Sequence, residues 1–173
     1  MLLIASNACK FDVCVYVSTE ETLHYERISR NSEKYANVLF VEAYDMDTFL
    51  KAAYVSYLLK PRFLFVDSIN ALFRAEALRE NTLVKQSLIT GFFVESALER
   101  GGKLFASAQV RAVGEVGLGV PGAKILDYYF DALLGVFIEE ANKRYIKPIK
   151  VPIRADFDKL SFRITETGVE WLD

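Results

Sequence analysis

The sequence predicts an α/β fold: a mainly parallel sheet with helices on both faces and antiparallel strands at its C-terminal edge. Two patterns lead to this prediction. Strand-like and helix-like segments alternate from Asp12 to about Val110, whereas strand-like segments follow one another near the C-terminus. In addition, residues 63–66 are apolar at every position, which is typical of a strand buried on both faces of a parallel sheet. A chain of 173 residues is long enough for one such domain.

Each predicted element has its own local signal. Asp45 or Asp47 is a suitable N-cap for a helix that ends before Pro61, and Gly101-Gly102 ends a long helix over about residues 80–100. The apolar residues at helical spacing predict the buried stripe of that long helix as Leu83, Val84, Leu88, Ile89, Phe92, Phe93 and Leu98. The remaining predicted elements are helices over residues 1–10 and 22–34 and strands over residues 13–18, 38–43, 103–110, 132–138, 145–153 and 160–165.

Composition narrows the classes of function. The chain is 52% hydrophobic and 25% charged, with a net charge of −2, so any contact with nucleic acid must come from a local patch. It contains no apolar run of about eighteen residues, so we expect a cytoplasmic protein with no membrane partner. Cys9 and Cys14 are too few for a disulfide scaffold or a four-ligand zinc site, and we expect them to be small core residues in a reducing compartment.

Asp67 is the first candidate functional residue. It follows the apolar run at the carboxyl end of the strand, where open α/β sheets bind their ligands. An ionised carboxylate there needs a compensating partner, and a magnesium ion that carries a nucleotide is one candidate. Apolar residues followed by Asp67 and Ser68 form the pattern called Walker B. The alternative is that Asp67 caps the turn that follows.

Residues 66–76 resemble the Walker B strand and the following turn of the RecA/RadA recombinases, especially those of the archaeal and eukaryotic branch. The resemblance continues upstream in residues 16–21 and 26–28, and downstream in residues 104–110 and 168–169. Order and spacing agree over nearly the whole chain. The resemblance implies a RadA-like recombinase or a paralogue of one, with a single RecA-like ATPase core domain over residues 1–173.

The phosphate-binding loop of that superfamily, G-x-x-x-x-G-K-[ST], occurs nowhere in the sequence, whose first glycine is Gly91. The resemblance places this P-loop before the helix of residues 1–10, and places its strand beside the strand that leads to Gln109. We therefore expect an N-terminally truncated core that lacks the P-loop strand. Either an N-terminal part is missing, which we favour, or a paralogue has lost it.

The resemblance also implies roles for individual residues. Glu20 matches the glutamate that polarises the attacking water, and Gln109 matches the glutamine that senses the γ-phosphate and signals to a DNA-binding loop. Asp67 would hold Mg²⁺, and Ser68 and Gln109 would help to bind ATP. One departure is Ala108, where the superfamily has asparagine. The alternative for Glu20 is that it lies in the first turn of the next helix.

The positions that match the two DNA-binding loops carry few cations. Residues 111–124 correspond to the second loop, and Arg111 and Lys124 are its only cations. The first loop corresponds to residues 79–81, where Arg79 is present, and Arg74 precedes it. Because affinity for DNA comes mostly from cationic contacts with phosphate, these loops predict weak DNA binding. Solvated surface loops are the alternative.

The function that these residues imply is that of an ATPase or recombinase paralogue in DNA repair and homologous recombination, with DNA and other recombinase subunits or further copies of the chain as partners. ATP and Mg²⁺ are the implied cofactors, and the missing P-loop predicts impaired ATP binding. Two alternatives stay open: a nucleotide-free recombination mediator or interaction module, and a KaiC-like regulatory ATPase. Residues 73–76, Phe-Arg-Ala-Glu, are closer to the recombinases than to the KaiC-like proteins.

Overall fold

The computed structural model describes residues 1–10, 12–20, 24–113, 117–152, 157–165 and 168–172. Residue contacts divide the chain into two compact units, Met1–Ile125 and Leu126–Asp173. The helices are α1 (Leu2–Ala8), α2 (His24–Ser29), a 3₁₀ segment (Ser32–Tyr35), α3 (Met46–Leu59), α4 (Ala71–Ala75), α5 (Thr82–Leu98) and α6 (Ala123–Tyr129). The strands are β1 (Cys14–Ser18), β2 (Val38–Glu42), β3 (Phe63–Asp67), β4 (Lys103–Ala106), β5 (Arg111–Val113), β6 (Gly117–Gly119), β7 (Leu133–Glu140), β8 (Lys143–Lys150), β9 (Leu160–Ile164) and β10 (Val169–Leu172).

The first unit is built on a four-stranded parallel sheet with the strand order β2-β1-β3-β4. Its two central strands are buried, as their unbroken apolar runs predict: every residue of β1 is buried, and Leu64, Phe65 and Val66 of β3 are fully inaccessible. The predicted α/β fold with a mainly parallel sheet is confirmed.

Two groups of helices contact this sheet. Leu2 and Ala5 of α1 join Tyr16 and Phe65 of the sheet in one core cluster. Side chains alternate along a strand, so Leu64 and Val66 point away from that cluster, and both are fully buried as well. Helices α3 and α5 pack against each other and contact the sheet. The sheet is therefore covered on both faces.

The antiparallel strands of the second unit form a sheet of their own, with the order β10-β9-β8-β7. The sequence predicted that these strands would extend the edge of the parallel sheet, whereas they form a separate antiparallel sheet. Strands β4 and β7 each lie at the end of their own sheet. Residues 111–113 and 117–119 form the short antiparallel pair β5–β6, within the stretch that the resemblance matches to the second DNA-binding loop.

The buried stripe predicted for α5 is wrong in most of its residues. Ile89 and Phe93 are fully buried as predicted, but the other buried positions carry small or polar side chains: Thr82, Gln86, Thr90, Ser96 and Ala97. The large apolar residues Leu83, Val84, Leu88 and Leu98 are each more than half exposed. Hydrogen bonds partly satisfy these buried polar side chains: Gln86 Nε2 donates to the Ile69 carbonyl (2.8 Å), and Ser96 Oγ donates to the Ser56 carbonyl (2.7 Å). Gln86 Oε1 is buried with no hydrogen-bond partner among the described residues.

The two cysteines are buried, as expected, but they are not free thiols. Cys9 and Cys14 form a disulfide that joins the end of α1 to the start of β1. The expectation of two reduced core residues is corrected here. None of the described helices is long and apolar enough to cross a membrane.

Asp45 is the N-cap of α3 and forms a capping box with Thr48. Its Oδ1 accepts a hydrogen bond from the Thr48 backbone N–H (2.7 Å), and the Asp45 backbone N–H donates to Thr48 Oγ1 (3.1 Å). The bonds from Thr48 stabilise the charged carboxylate and hold the pKa of Asp45 below its usual value.

We expect Asp45→Ala to lower the Tm at neutral pH, because the helix loses its cap. A carboxyl whose pKa is lowered in the folded state contributes stability above its unfolded pKa of about 4, and this contribution is lost as the pH falls through the folded pKa. The Tm difference between the wild type and Asp45→Ala should therefore narrow as the pH is lowered from about 7 to about 3. A Tm difference that stays constant over this range would contradict the assignment, and Asp45→Asn, which keeps a capping oxygen, is the control.

Candidate functional site

The carboxyl ends of the parallel strands place the predicted site residues at one edge of the sheet. In the paired strands, Ser18 lies opposite Asp67, and Val66 lies opposite Ala106. Glu20 and Gln109 follow the ends of β1 and β4. The three side chains named from the sequence therefore share an edge, as predicted for parallel strands.

Glu20 and Gln109 are in direct contact although 89 residues separate them. Gln109 Nε2 donates a hydrogen bond of 2.6 Å to Glu20 Oε1. Strand β3 lies between β1 and β4 in the sheet, so this bond bridges the end of the Asp67 strand. The edge therefore carries two acids, Glu20 and Asp67, and one amide, Gln109.

Both carboxylate oxygens of Asp67 accept hydrogen bonds, one from a residue of β1 and one from the residue that follows β4. Tyr16 Oη donates to Oδ2 (2.7 Å), and the Ser107 hydroxyl donates to Oδ1. Tyr16 is almost completely buried, and burial, followed by its bond to Asp67, raises the pKa of its phenol. Tyr16 therefore stays protonated and continues to act as a donor to Asp67. Sequence reasoning missed both donors, Tyr16 and Ser107. For Tyr16 a signal was present, because Tyr16 lies two residues before Ser18 on the same face of β1, and Ser18 pairs with Asp67.

We expect Tyr16→Phe to lower the free energy of unfolding by about 1.5–3 kcal/mol, the usual cost of losing a hydrogen bond to a charged group. Tyr35→Phe is the matched control, since Tyr35 is also buried but its hydroxyl has no hydrogen-bond partner among the described residues. That control should cost less than about 0.5 kcal/mol. Equal losses for the two variants in urea denaturation would contradict the role given to Tyr16.

Thr19 fixes the turn that follows Asp67. Its hydroxyl donates to the Ser68 carbonyl (2.8 Å) and accepts a bond from the Ser68 backbone N–H (3.0 Å). The peptide bond between Asp67 and Ser68 is cis. Ser68 itself is buried, and its Oγ has no hydrogen-bond partner among the described residues. The structure thus places Ser68 beside Asp67, with its hydroxyl in the interior.

Asn70 is a further residue of this edge that sequence reasoning missed. Its side chain is only 1% exposed. Its Oδ1 accepts a bond from the Gln109 backbone N–H (2.8 Å), and its Nδ2 donates to the carbonyls of Gln109 (3.0 Å) and Pro121 (3.2 Å). The backbone of Gln109 is therefore held by the turn that follows Asp67.

The four predicted DNA-binding cations lie on the surface. Arg74, Arg79, Arg111 and Lys124 are all exposed. Arg79 Nη1 lies 3.1 Å from Glu76 Oε2, so a neighbouring acid neutralises part of its charge. The structure leaves the four residues accessible to a partner.

The acidic residues at this edge fit a magnesium ion that arrives with a nucleotide. Among the described residues there is no group of three or more His, Cys, Asp or Glu side chains that would form a cage around a metal. Mg²⁺ in nucleotide sites is usually held by one or two carboxylates, with phosphates and water completing the octahedron. Asp67, fixed by Tyr16 and Ser107, has the chemistry for such a single-carboxylate site.

The four-stranded parallel sheet with a polar carboxyl edge is the arrangement predicted for a RecA/RadA-like α/β core, and comparison with solved structures confirms this fold. The structure of the RadB recombinase superposes with a TM-score of 0.75 at 18% sequence identity, covering 99% of this chain and 83% of that one. A KaiC-like protein from the hyperthermophilic archaeon Pyrococcus horikoshii superposes with a TM-score of 0.67 at 23% identity, covering 98% of this chain and 80% of that one. No protein-family model and no curated protein sequence matches the chain.

Proposed function

We propose that this chain is a RecA/RadA-like ATPase core, of a recombinase or a recombinase paralogue, that acts in homologous recombination and DNA repair. The observation that carries the proposal is the contact between Glu20 and Gln109 beside a fixed Asp67. Phosphoryl transfer depends mainly on positioning and electrostatic stabilisation, so an ordered acid–amide–acid edge is the feature that such chemistry needs. Residues 1–173 would form one RecA-like core domain.

Each residue of the edge has a distinct part in this proposal. Asp67, with Ser68 beside it, would hold Mg²⁺, and bound ATP would supply the phosphoryl group that is transferred to water, with ADP as the leaving group. Glu20 orients the attacking water and accepts its proton. Gln109 donates to Glu20 in the structure, and the same Nε2 can instead donate to a phosphate oxygen. Gln109 thereby senses whether a γ-phosphate is present.

ATP binding by these 173 residues is proposed to be impaired. The G-x-x-x-x-G-K-[ST] motif, whose backbone amides and lysine hold the phosphates, does not occur in the sequence. In the present proposal the contacts with the metal and the γ-phosphate come from Asp67, Ser68 and Gln109. The backbone amides and the lysine that hold the other phosphates would have to come from another segment.

DNA and further recombinase subunits or copies of the chain are the proposed partners. Arg74, Arg79, Arg111 and Lys124 are the cations available for contacts with DNA phosphate. Four such residues, one of them paired with Glu76, support weak and salt-sensitive binding. We propose a cytoplasmic location and no membrane partner.

Two other functions have specific observations in their favour. The fold shared with the KaiC-like protein supports a regulatory ATPase, and the lack of the P-loop motif supports a nucleotide-free recombination mediator. Reading the codons upstream of Met1 separates the mediator from the ATPases: an in-frame G-x-x-x-x-G-K-[ST] favours an ATPase, and a stop codon favours the mediator.

The experiment that tests the proposed function uses the P-loop-bearing chain. We define this as the same chain preceded by a strand and a G-x-x-x-x-G-K-[ST] loop, either encoded upstream or grafted from a P-loop protein of the same fold. A recombinase-type ATPase should hydrolyse Mg·ATP, and single-stranded DNA should stimulate the rate. Hydrolysis that DNA leaves unchanged would favour the KaiC-like function instead.

A further inference from the structure

The segment of residues 110–120 is fastened at both of its ends to a single buried side chain. Asn70 makes two hydrogen bonds with the backbone of Gln109, just before the segment, and one with the carbonyl of Pro121, just after it. Pro121 is buried as well. The segment carries Arg111 and the antiparallel pair β5–β6.

Only a primary amide in this orientation satisfies all three bonds. A primary amide offers two N–H donors on one side and one carbonyl acceptor on the other. In Asn70 the nitrogen faces two carbonyl oxygens and the oxygen faces an N–H group. A carboxylate of the same shape would place an oxygen against both carbonyls, and an apolar side chain would leave buried backbone groups without partners.

Asn70 also connects this segment with the acidic edge. It follows Asp67 by three residues in the same turn, and the backbone that it holds belongs to Gln109, whose side chain reaches Glu20. We propose that Asn70 is a positioning residue, which holds Gln109 toward Glu20 and closes the base of the 110–120 segment. The consequence for ATP hydrolysis rests on the proposed function, whereas the closure of the segment does not.

The test uses the 173-residue chain itself and compares Asn70→Ala with Gln86→Ala. Gln86 is the matched control because it is a second buried amide, also 1% exposed, that bonds to the neighbouring Ile69 carbonyl but touches neither end of the segment. Limited trypsin digestion measures cleavage after Arg111 relative to cleavage after Arg100, an exposed residue at the other end of β4. This ratio should rise about tenfold in Asn70→Ala, through local opening of the segment, and by less than about twofold in Gln86→Ala.

Hydrogen exchange gives a second readout that a general loss of stability does not reproduce. The Gln109 backbone N–H, which donates to Asn70 Oδ1, should exchange about tenfold faster or more in Asn70→Ala and at the wild-type rate relative to other core amides in Gln86→Ala. If Asn70→Ala does not fold, through-hydrogen-bond NMR couplings from Asn70 Nδ2 to the carbonyl carbons of Gln109 and Pro121 test the wild type directly.

An unchanged cleavage ratio in Asn70→Ala, an equal rise in Gln86→Ala, or absent couplings in the wild type would overturn the proposal. None of these measurements uses ATP or DNA. Their failure is therefore distinguishable from a failure of the proposed ATPase function, which would show itself only in the hydrolysis experiment.

Discussion

The 173-residue chain is expected to bind Mg·ATP at least about a thousandfold more weakly than the P-loop-bearing chain, a difference of about 4 kcal/mol. Contacts with the phosphates supply much of the binding energy in P-loop proteins, and the loop that makes them is absent from the sequence. In the proposed site, Asp67 and Gln109 would supply one metal ligand and one amide donor, which do not replace the backbone amides and the lysine of a P-loop. Isothermal titration calorimetry of both chains under the same conditions measures the difference.

The control for this prediction is a P-loop-bearing chain in which the lysine of the loop is replaced by alanine. Its affinity should fall toward that of the 173-residue chain, because the added segment then lacks its charged phosphate ligand. Micromolar ATP binding to the 173-residue chain would contradict the prediction and would require another phosphate site.

Phe93→Ala should lower the free energy of unfolding by about 3–5 kcal/mol, the usual cost of a large cavity in a packed core. Phe93 is completely buried and packs against Phe49 of α3, with the ring centroids 5.4 Å apart. The substitution removes contacts between the two helices that cover one face of the sheet. Equilibrium denaturation in urea measures the loss.

Leu88→Ala is the matched control for Phe93→Ala. Leu88 lies on the same helix, but 51% of its surface is exposed, so its loss should cost less than about 1 kcal/mol. Comparable losses for the two variants would show that the buried face of α5 is assigned incorrectly. Phe92, by contrast, is half-buried, with Tyr54 and Tyr57 at 5.8 and 5.7 Å from its ring, and should give an intermediate value.

The parallel sheet and the edge that carries the candidate site residues were predictable because each depends on a local pattern. Residues 63–66 are apolar throughout, and only a strand covered on both faces removes all of them from water. Once the strands are known to be parallel, their carboxyl ends must share an edge. The meeting of Glu20 and Gln109 at that edge follows from the topology.

The buried face of α5 was not predictable from hydrophobicity alone. The pattern of apolar residues selects Leu83, Val84 and Leu88, whereas the structure buries Gln86 and Thr90 in their place. Gln86 is tolerated there because its Nε2 reaches the carbonyl of Ile69, a residue of the Asp67 turn. A buried polar group of this kind depends on a partner that is distant in sequence, and helical periodicity does not identify that partner.

The residues that fix the site were missed for the same reason. Tyr16 reaches Asp67 across 51 residues, Ser107 reaches it across 40, and Asn70 reaches Gln109 across 39. All three donors lie in segments that carry the family resemblance, but the resemblance gives none of them a role, because each takes its role from its place beside a neighbouring strand or turn. The link between Cys9 and Cys14 was missed because the expectation was based on their number and the cell compartment rather than on distance.

The measurement that tests the central claim most directly is the rate of Mg·ATP hydrolysis by the P-loop-bearing chain with and without Glu20→Gln. If the edge formed by Glu20, Gln109 and Asp67 performs phosphoryl transfer, kcat should fall by about 100-fold or more, since a positioned base contributes about 10²–10⁴-fold. The Kd for ATP should stay within about threefold, because Glu20 acts on the attacking water rather than on the ground-state nucleotide. An unchanged kcat in Glu20→Gln would contradict the account.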